Sequence, residues 1–254
     1  MNQLTLLTKA YSTYQLKQVE NFLRIVLEGL DVEVKVAGIS TNRWVQIALA
    51  GEDEAIATNL MRKEIGFCPE NLKDIEKFDM LKGYVVGLGK SSDILQVDIG
   101  IFHPEIIFAA VPLRHLQAVL SDGRKLALKK ISELYGFCDG LPLNIKINSI
   151  NEEINHLDAT LSNIQLRRLT NWQESLLDRL IVLGASSHDV NRMLSYTGLN
   201  RDIIDIESLG MFEHALTCKL GTDAAGLISY VGRYLKNAKF IVFNPRKIRE
   251  ILNL

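Results

Sequence analysis

Five histidines, His103, His115, His156, His188 and His214, are the side chains best placed for proton transfer near neutral pH. None stands in a His-x-His or His-Glu-x-x-His arrangement, so their spacing offers no metal site. Three cysteines, Cys68, Cys138 and Cys218, are too few and too scattered for a disulfide scaffold, and no two share a metal-ligand spacing. Reduced thiols in a cytoplasm are the expectation. Two of them recur in matching pentapeptides, Ile65-Gly66-Phe67-Cys68-Pro69 and Tyr135-Gly136-Phe137-Cys138-Asp139, each after an amphipathic, Lys-bearing pattern. A shared helix exit explains both, with Gly in the left-handed conformation and Phe as the apolar contact after it; paired thiol chemistry is the rival reading. The run Gly83-x3-Gly87-x-Gly89-Lys90 has the look of a phosphate loop, yet it lies inside a strand pattern with no helix start behind it. Bends of a small barrel account for it better. There is no Gly-x-Ser-x-Gly elbow, Walker loop or dinucleotide fingerprint, and Glu152-Glu153 fits a solvated turn. The residues favour a non-enzyme without cofactor or metal.

Binding chemistry is better represented. Lys82, Tyr84, Lys90, Arg114, His115, Arg124, Lys125, Lys129 and Lys130 are candidates for a nucleic-acid surface on the middle of the chain. Arg246, Lys247 and Arg249 would add backbone contacts near the C-terminus. Tyr84, Phe102 and Phe108 offer base-stacking area or core packing. The total of 29 Lys and Arg against 30 Asp and Glu, formally −1, excludes a chain that is basic all over. Divided at residues 77 and 163 the net charges are −2, −2 and +3, so the basic excess collects in the last segment. A second candidate is Thr217 to Ile228, where a strand pattern enters a Gly turn and Thr222 or Asp223 caps a helix. There Gly221, Thr222, Asp223, Gly226 and Leu227 would let a small carboxylate approach free N–H groups. Finally, Leu176 to Leu183, Gly184-Ala185-Ser186 and Ser187 to Tyr196 have helix-turn-helix lengths. The second helix offers only Ser187, His188, Asn191 and Arg192 at its start, so a packing hairpin of two helices competes with DNA reading.

Three segments must position these residues. With 254 residues, 47% hydrophobic and 23% charged, the chain has the balance of a globular protein. It shows no apolar run of membrane-spanning length and no basic leader at Met1-Asn2-Gln3-Leu4-Thr5. Residues 1–77 read as βαββα: a strand at Leu4 to Leu7, a helix with Leu16, Val19, Leu23, Val26 and Leu30 on one face, alternating strands at Val32 to Val36 and Val45 to Leu49, and a helix from Glu52 to Ile65. With a last strand near Phe67, this is a ferredoxin-like sandwich. Residues 78–163 give three strands, helices at Leu113 to Leu120 and Arg124 to Tyr135, then two strands, the order of an OB-type barrel. Residues 164–254 give the helical hairpin, strands at Ile203 to Glu207 and His214 to Lys219, a helix from Asp223 to Leu235 and a strand at Lys239 to Phe243. The fold class is therefore α+β throughout.

Two resemblances follow from these residues. His214 to Phe243, with its Asp-x-x-Gly-Leu helix, resembles the ACT regulatory modules, which implies an amino-acid sensor. Lys82 to Gly100, Ala110-Val111-Pro112-Leu113, Tyr135 to Asp139 and above all Leu209 to Leu227 resemble an archaeal family, domain of unknown function 2110 (DUF2110). That resemblance implies an archaeal cytoplasmic protein with a barrel similar to the S1 RNA-binding type at its centre, and it supplies no catalytic residues to carry over. The expected partners are RNA or a ribonucleoprotein, in translation or RNA processing and in association with the ribosome, with no membrane. An ACT-like sensor and a protein-interaction scaffold are the alternatives.

Overall fold

Alternating apolar side chains organise three sheets in the computed structural model, which describes residues 2–253. The chain groups into two compact units, residues up to 74 with 100–106, and residues 75–99 with 107–254.

The first unit runs β1 (Asn2–Lys9), α1 (Thr13–Val26), β2 (Val32–Ile39), β3 (Trp44–Gly51), α2 (Glu54–Glu64) and the short β4 (Glu70–Asn71). Val45, Ile47 and Leu49 of β3 are fully buried, as are Val19 and Leu23 of α1, whose start is fixed by the Ser12 hydroxyl accepting the Gln15 N–H at 3.2 Å. The antiparallel sheet has the order β1-β3-β2, and Phe67 bridges Leu6 on the free side of β1. That is the 4-1-3-2 arrangement of the expected ferredoxin-like sandwich, with its fourth strand reduced to one bridge.

The second unit opens with β5 (Met80–Val86), β6 (Ile94–His103), β7 (Ile107–Pro112), α3 (Leu113–Leu120), α4 (Leu128–Tyr135), β8 (Pro142–Asn151) and β9 (His156–Leu161). Residues 100–103 of β6 group with the first unit. Around the barrel the neighbours are β5-β6-β7-β9-β8 and back to β5, with β7 and β9 parallel and the β5–β6, β5–β8 and β8–β9 pairs antiparallel. This circuit is the OB order. Gly83 lets β5 and β6 approach closely: a Cβ there would press on the Asp98 carbonyl and the side chains of Val97 and Ile99. Gly136, at φ +71°, closes α4, and Gly66, at φ +87°, follows α2, so the matching pentapeptides are helix exits.

The same unit continues with α5 (Asn163–Glu174), β10 (Arg179–Leu183), α6 (Ser187–Thr197), β11 (Ile203–Ser208), β12 (Glu213–Cys218), α7 (Ala224–Tyr234), β13 (Lys239–Phe243) and α8 (Pro245–Leu252). From β10 to β13 the order is βαββαβ, and the antiparallel sheet reads β11-β12-β10-β13, a complete ferredoxin-like sandwich. Val190, Met193 and Leu194 of α6 and Leu227 and Val231 of α7 pack on Leu180, Val182, Leu216 and Cys218.

Two sequence expectations are corrected and one helix is added. Leu176 to Leu183 is not a helix: residues 179–183 form the central strand β10, buried on both faces. A strand buried on both faces is a continuous apolar run, which hydrophobic periodicity does not separate from a buried helix. The helical hairpin and the helix-turn-helix reading fall with it, and α5 ends before this run, at Glu174. Residues 124–127 precede α4 rather than belong to it, held by Ser121 Oγ donating to the Arg124 carbonyl and Gln117 Nε2 to the Leu126 carbonyl. Beyond Asn244 the chain forms α8, started by Asn244 Oδ1 accepting the Lys247 N–H at 2.9 Å. Among the described residues, no helix is long and apolar enough to cross a membrane.

Candidate nucleic-acid interface

The basic residues fall into three structural groups. Lys90 lies exposed in the turn between β5 and β6, and Arg114 is exposed on the first turn of α3. Arg124, Lys125 and Lys129 are exposed and Lys130 half-buried at the start of α4. Arg246 and Lys247 are exposed and Arg249 half-buried on α8. The second and third groups are far apart in sequence but adjacent in space. Helix α8 packs on α4 and α5, and the Arg124 guanidinium donates to the Ile251 carbonyl at 3.1 Å, at the C-terminal end of α8. Asp122, Glu133 and Glu250 lie within or next to these two segments in sequence, and Asp178 and Asp223 share a cleft with Arg246, five carboxylates against seven cations.

Three of the residues expected on this surface serve the interior instead. Tyr84 is 1% exposed, and its hydroxyl donates to Glu213 Oε2 at 3.3 Å, joining the barrel to the C-terminal sheet. It cannot stack a base. Lys82 is half-buried, with Glu213 and Arg168 as its charged neighbours, and burial pushes its ammonium pKa down. His115 accepts the Leu161 N–H on Nε2 at 3.1 Å, which ties α3 to the end of β9, and burial lowers its pKa. Nearby, Arg168 Nε donates to Glu207 Oε1 at 2.7 Å and Trp172 Nε1 to Glu207 Oε2 at 2.8 Å. Lys82, Tyr84, Arg168, Trp172, Glu207 and Glu213 thus belong to the polar joint inside the second unit.

Nor is the stacking area where the sequence places it. Phe102 and Phe108 are half-buried, Phe102 edge-on to His103. At Gly100, Cys68 occupies the space a Cβ would need, and β4 runs beside Ile101 and His103, so that part of β6 is covered. The exposed aromatic at the barrel is Phe78, at the start of the middle segment and outside every strand or helix expected from the sequence. It is 58% exposed just before β5, with the Lys77 and Lys146 ammonium groups 5.0 and 4.8 Å from its ring centroid. Its φ of +77° is unusual for a bulky residue and is held by a bond from its N–H to the Ile147 carbonyl and one from the Ile147 N–H to the Asp79 carbonyl. The sequence signal for it is the aromatic itself, beside Lys77 and ahead of the barrel's first strand.

The Gly221 to Leu227 turn lines a cleft of about 190 Å³ with Leu176, Asp178, Lys219, Asn244 and Arg246. Gly221, Thr222 and Asp223 line it; Gly226 does not, and Leu227 belongs to the core. The helix start is already occupied by carboxylates. Asp223 accepts from the Ala225 and Gly226 N–H groups at 3.1 and 3.2 Å, and Asp178 from the Ala224 N–H at 3.4 Å. An incoming carboxylate would find these three N–H groups engaged by Asp223 and Asp178, with Lys219 and Arg246 as the cations of the cleft. Burial and the neighbouring Asp223 hold the Asp178 pKa above the usual carboxylate range. The three thiols are buried and unpaired with one another, and burial pushes Cys138 and Cys218 up to about 11, where thiolate chemistry is suppressed at neutral pH. Among the described residues, no group of three or more His, Cys, Asp or Glu side chains is placed to hold a metal.

The two sandwiches also fix the family. Models of the DUF2110 N-terminal domain and the DUF2110 C-terminal domain match residues 3–71 and 177–243, together just over half of the chain. The chain belongs to the DUF2110 family. In this DUF2110 protein the first match covers β1 to β4 and the second covers β10 to β13, while the barrel lies between them. Curated proteins give no match. Among solved structures, the chain is similar to a protein of vaccinia virus (Wisconsin strain), at 15% identity over 35% of this chain and 89% of that one, TM-score 0.23. It is similar to a chain of the a/eIF2alpha-aDim2p-rRNA complex from Pyrococcus horikoshii, at 10% identity over 51% and 70%, TM-score 0.26. A third similarity is to the intact alpha subunit of aIF2 from Pyrococcus abyssi, at 7% identity over 67% and 97%, TM-score 0.25.

Proposed function

We propose that this DUF2110 protein binds RNA, free or within a ribonucleoprotein, without catalysing a reaction on it. The observation that carries the reading is the meeting of two basic segments, Arg124 to Lys130 and Arg246 to Arg249, where α4 packs on α8 beside an OB barrel. Clustered cations neutralise phosphates and release counterions, whatever the sequence of the strand they meet. Phe78 between Lys77 and Lys146 adds a ring on which an unpaired base can stack. Translation or RNA processing in an archaeal cytoplasm is the setting in which such a protein would work.

The test is fluorescence anisotropy with a labelled single-stranded RNA of about twenty nucleotides, a length that spans one to a few OB-sized sites. With about five phosphates neutralised, affinity should fall about a hundredfold between roughly 50 and 200 mM salt. Reversing Lys125, Lys129 and Arg246 together to Glu should flatten that dependence, and Phe78→Ala should weaken binding without changing its slope. Absence of binding at low salt would overturn the proposal.

A further inference from the structure

Helices α6 and α7 turn Val190, Met193, Leu194, Leu227 and Val231 into the core, which leaves their opposite faces to solvent. Those faces carry three tyrosines, Tyr196 at 65%, Tyr230 at 58% and Tyr234 at 53% exposure. Tyr230 and Tyr234 are four residues apart and share one side of α7. The Tyr196 ring lies parallel to that of Tyr234, within 6°, with centroids 6.5 Å apart. The Arg192 guanidinium sits 5.4 Å from the Tyr196 centroid, and Arg233 and Lys236 are exposed on or just beyond α7. Asp189 is the one carboxylate within the two helices, and it is engaged in the capping box with Ser186.

Core packing does not call for rings here, since none of the three is buried. Their chemistry is that of a stacking surface: parallel π faces, an arginine plane beside one of them, and cations with no exposed acid set against them on either helix. We infer that the outer face of α6 and α7 contacts unpaired bases of single-stranded RNA, with Tyr196, Tyr230 and Tyr234 taking bases and Arg192, Arg233 and Lys236 taking phosphates. Tyrosine and arginine also suit protein interfaces, but three cations with no exposed carboxylate on either helix favour a polyanion over a protein surface of mixed charge. The inference rests on the RNA reading above and adds to it a second surface, remote in sequence from the α4 and α8 cations and different in its chemistry.

The full chain is titrated with labelled single-stranded RNA and with a duplex of equal length, and Tyr196→Ala/Tyr234→Ala is compared with Tyr196→Phe/Tyr234→Phe. The alanine pair should lose about tenfold or more in single-strand affinity, with an unchanged salt slope and little change on duplex, while the phenylalanine pair stays within about twofold. Cross-linking of the unaltered protein to RNA carrying 4-thiouridine, with the adducts mapped by mass spectrometry, reads the same contact should the alanine pair fail to fold. Adducts on the peptides containing Tyr196 and Tyr234 are expected. If the chain binds RNA but neither the alanine pair nor the adducts implicate these rings, this inference fails and the first reading stands. If the unaltered chain binds no RNA, both fail. If the alanine pair changes the sedimentation of the protein but not its RNA affinity, the face is a contact between protein copies and the inference is overturned.

Discussion

His115 shows how a residue that invites a ligand role can instead be a strut. Its Nε2 accepts the Leu161 N–H at 3.1 Å, so protonating that nitrogen would set two donors against each other. Burial lowers its pKa, and lowers that of His214 as well. The unfolded chain therefore takes up these protons first as pH falls through its own histidine pKa, near 6.5. The stability the neutral rings provide is complete above that pH and is lost below it. Urea unfolding should accordingly show a decline from about pH 7 to pH 5, and His115→Gln, whose amide oxygen can accept the same N–H, should decline less. Equal declines would mean that the ring does not titrate against folding. At this scale the sequence is legible where a residue's role is local, as with Gly66 and Gly136. It is not for Lys82, Tyr84 and His115, because nothing in their neighbours along the chain announces the Glu213 carboxylate or the Leu161 N–H they meet across the fold.

Elements are legible in proportion to their amphipathicity. Strands β2, β3, β8 and β9 and helices α1 and α7 alternate or repeat as half-buried elements must, while β5, β6 and β7 carry runs of consecutive buried residues. Strand β10 does not alternate, since both its faces are covered. Helix α8 escapes periodicity because it is short, although Asn244 and Pro245 are a cap followed by a proline in the first turn. The cap of α7 also bears on the sensor reading. Asp223 satisfies two N–H groups that the sensor reading needs free. Asp223→Ala should cost about 1–2 kcal/mol of stability and speed amide exchange at Ala225 and Gly226, whereas Asp223→Asn should stay close to the parent protein. Unchanged exchange in the alanine variant would show that the carboxylate does not hold this helix start.

At the scale of the molecule, the barrel and the C-terminal sandwich make one unit because their joint is both apolar and polar. Gly136, at the exit of α4, lies where a Cβ would stand 3.2 Å from Ile181 Cδ1 of β10 and 3.4 Å from Ile241 Cγ2 of β13. The Tyr135 ring lies 6.4 Å from that of Phe243, and the Tyr84 hydroxyl reaches Glu213. The segment Leu209 to Leu227, on which the family resemblance is most specific, holds Glu213, which serves the barrel as well as its own sheet. The joint also holds α4 against α8, and so keeps the two basic segments side by side. Ile181 is fully buried there, and Ile181→Ala should cost about 3 kcal/mol through lost contacts and the cavity left behind. If barrel and sandwich unfold together, hydrogen exchange should quicken by the same free energy at amides of β8 and of β10, because both open through one transition. Faster exchange confined to β10 and its sheet neighbours would show two independent units and would leave the basic surface without its support. RNA affinity measured on the same variant, under conditions where it remains folded, should match that of the unaltered chain, since Ile181 has no exposed surface to offer a ligand.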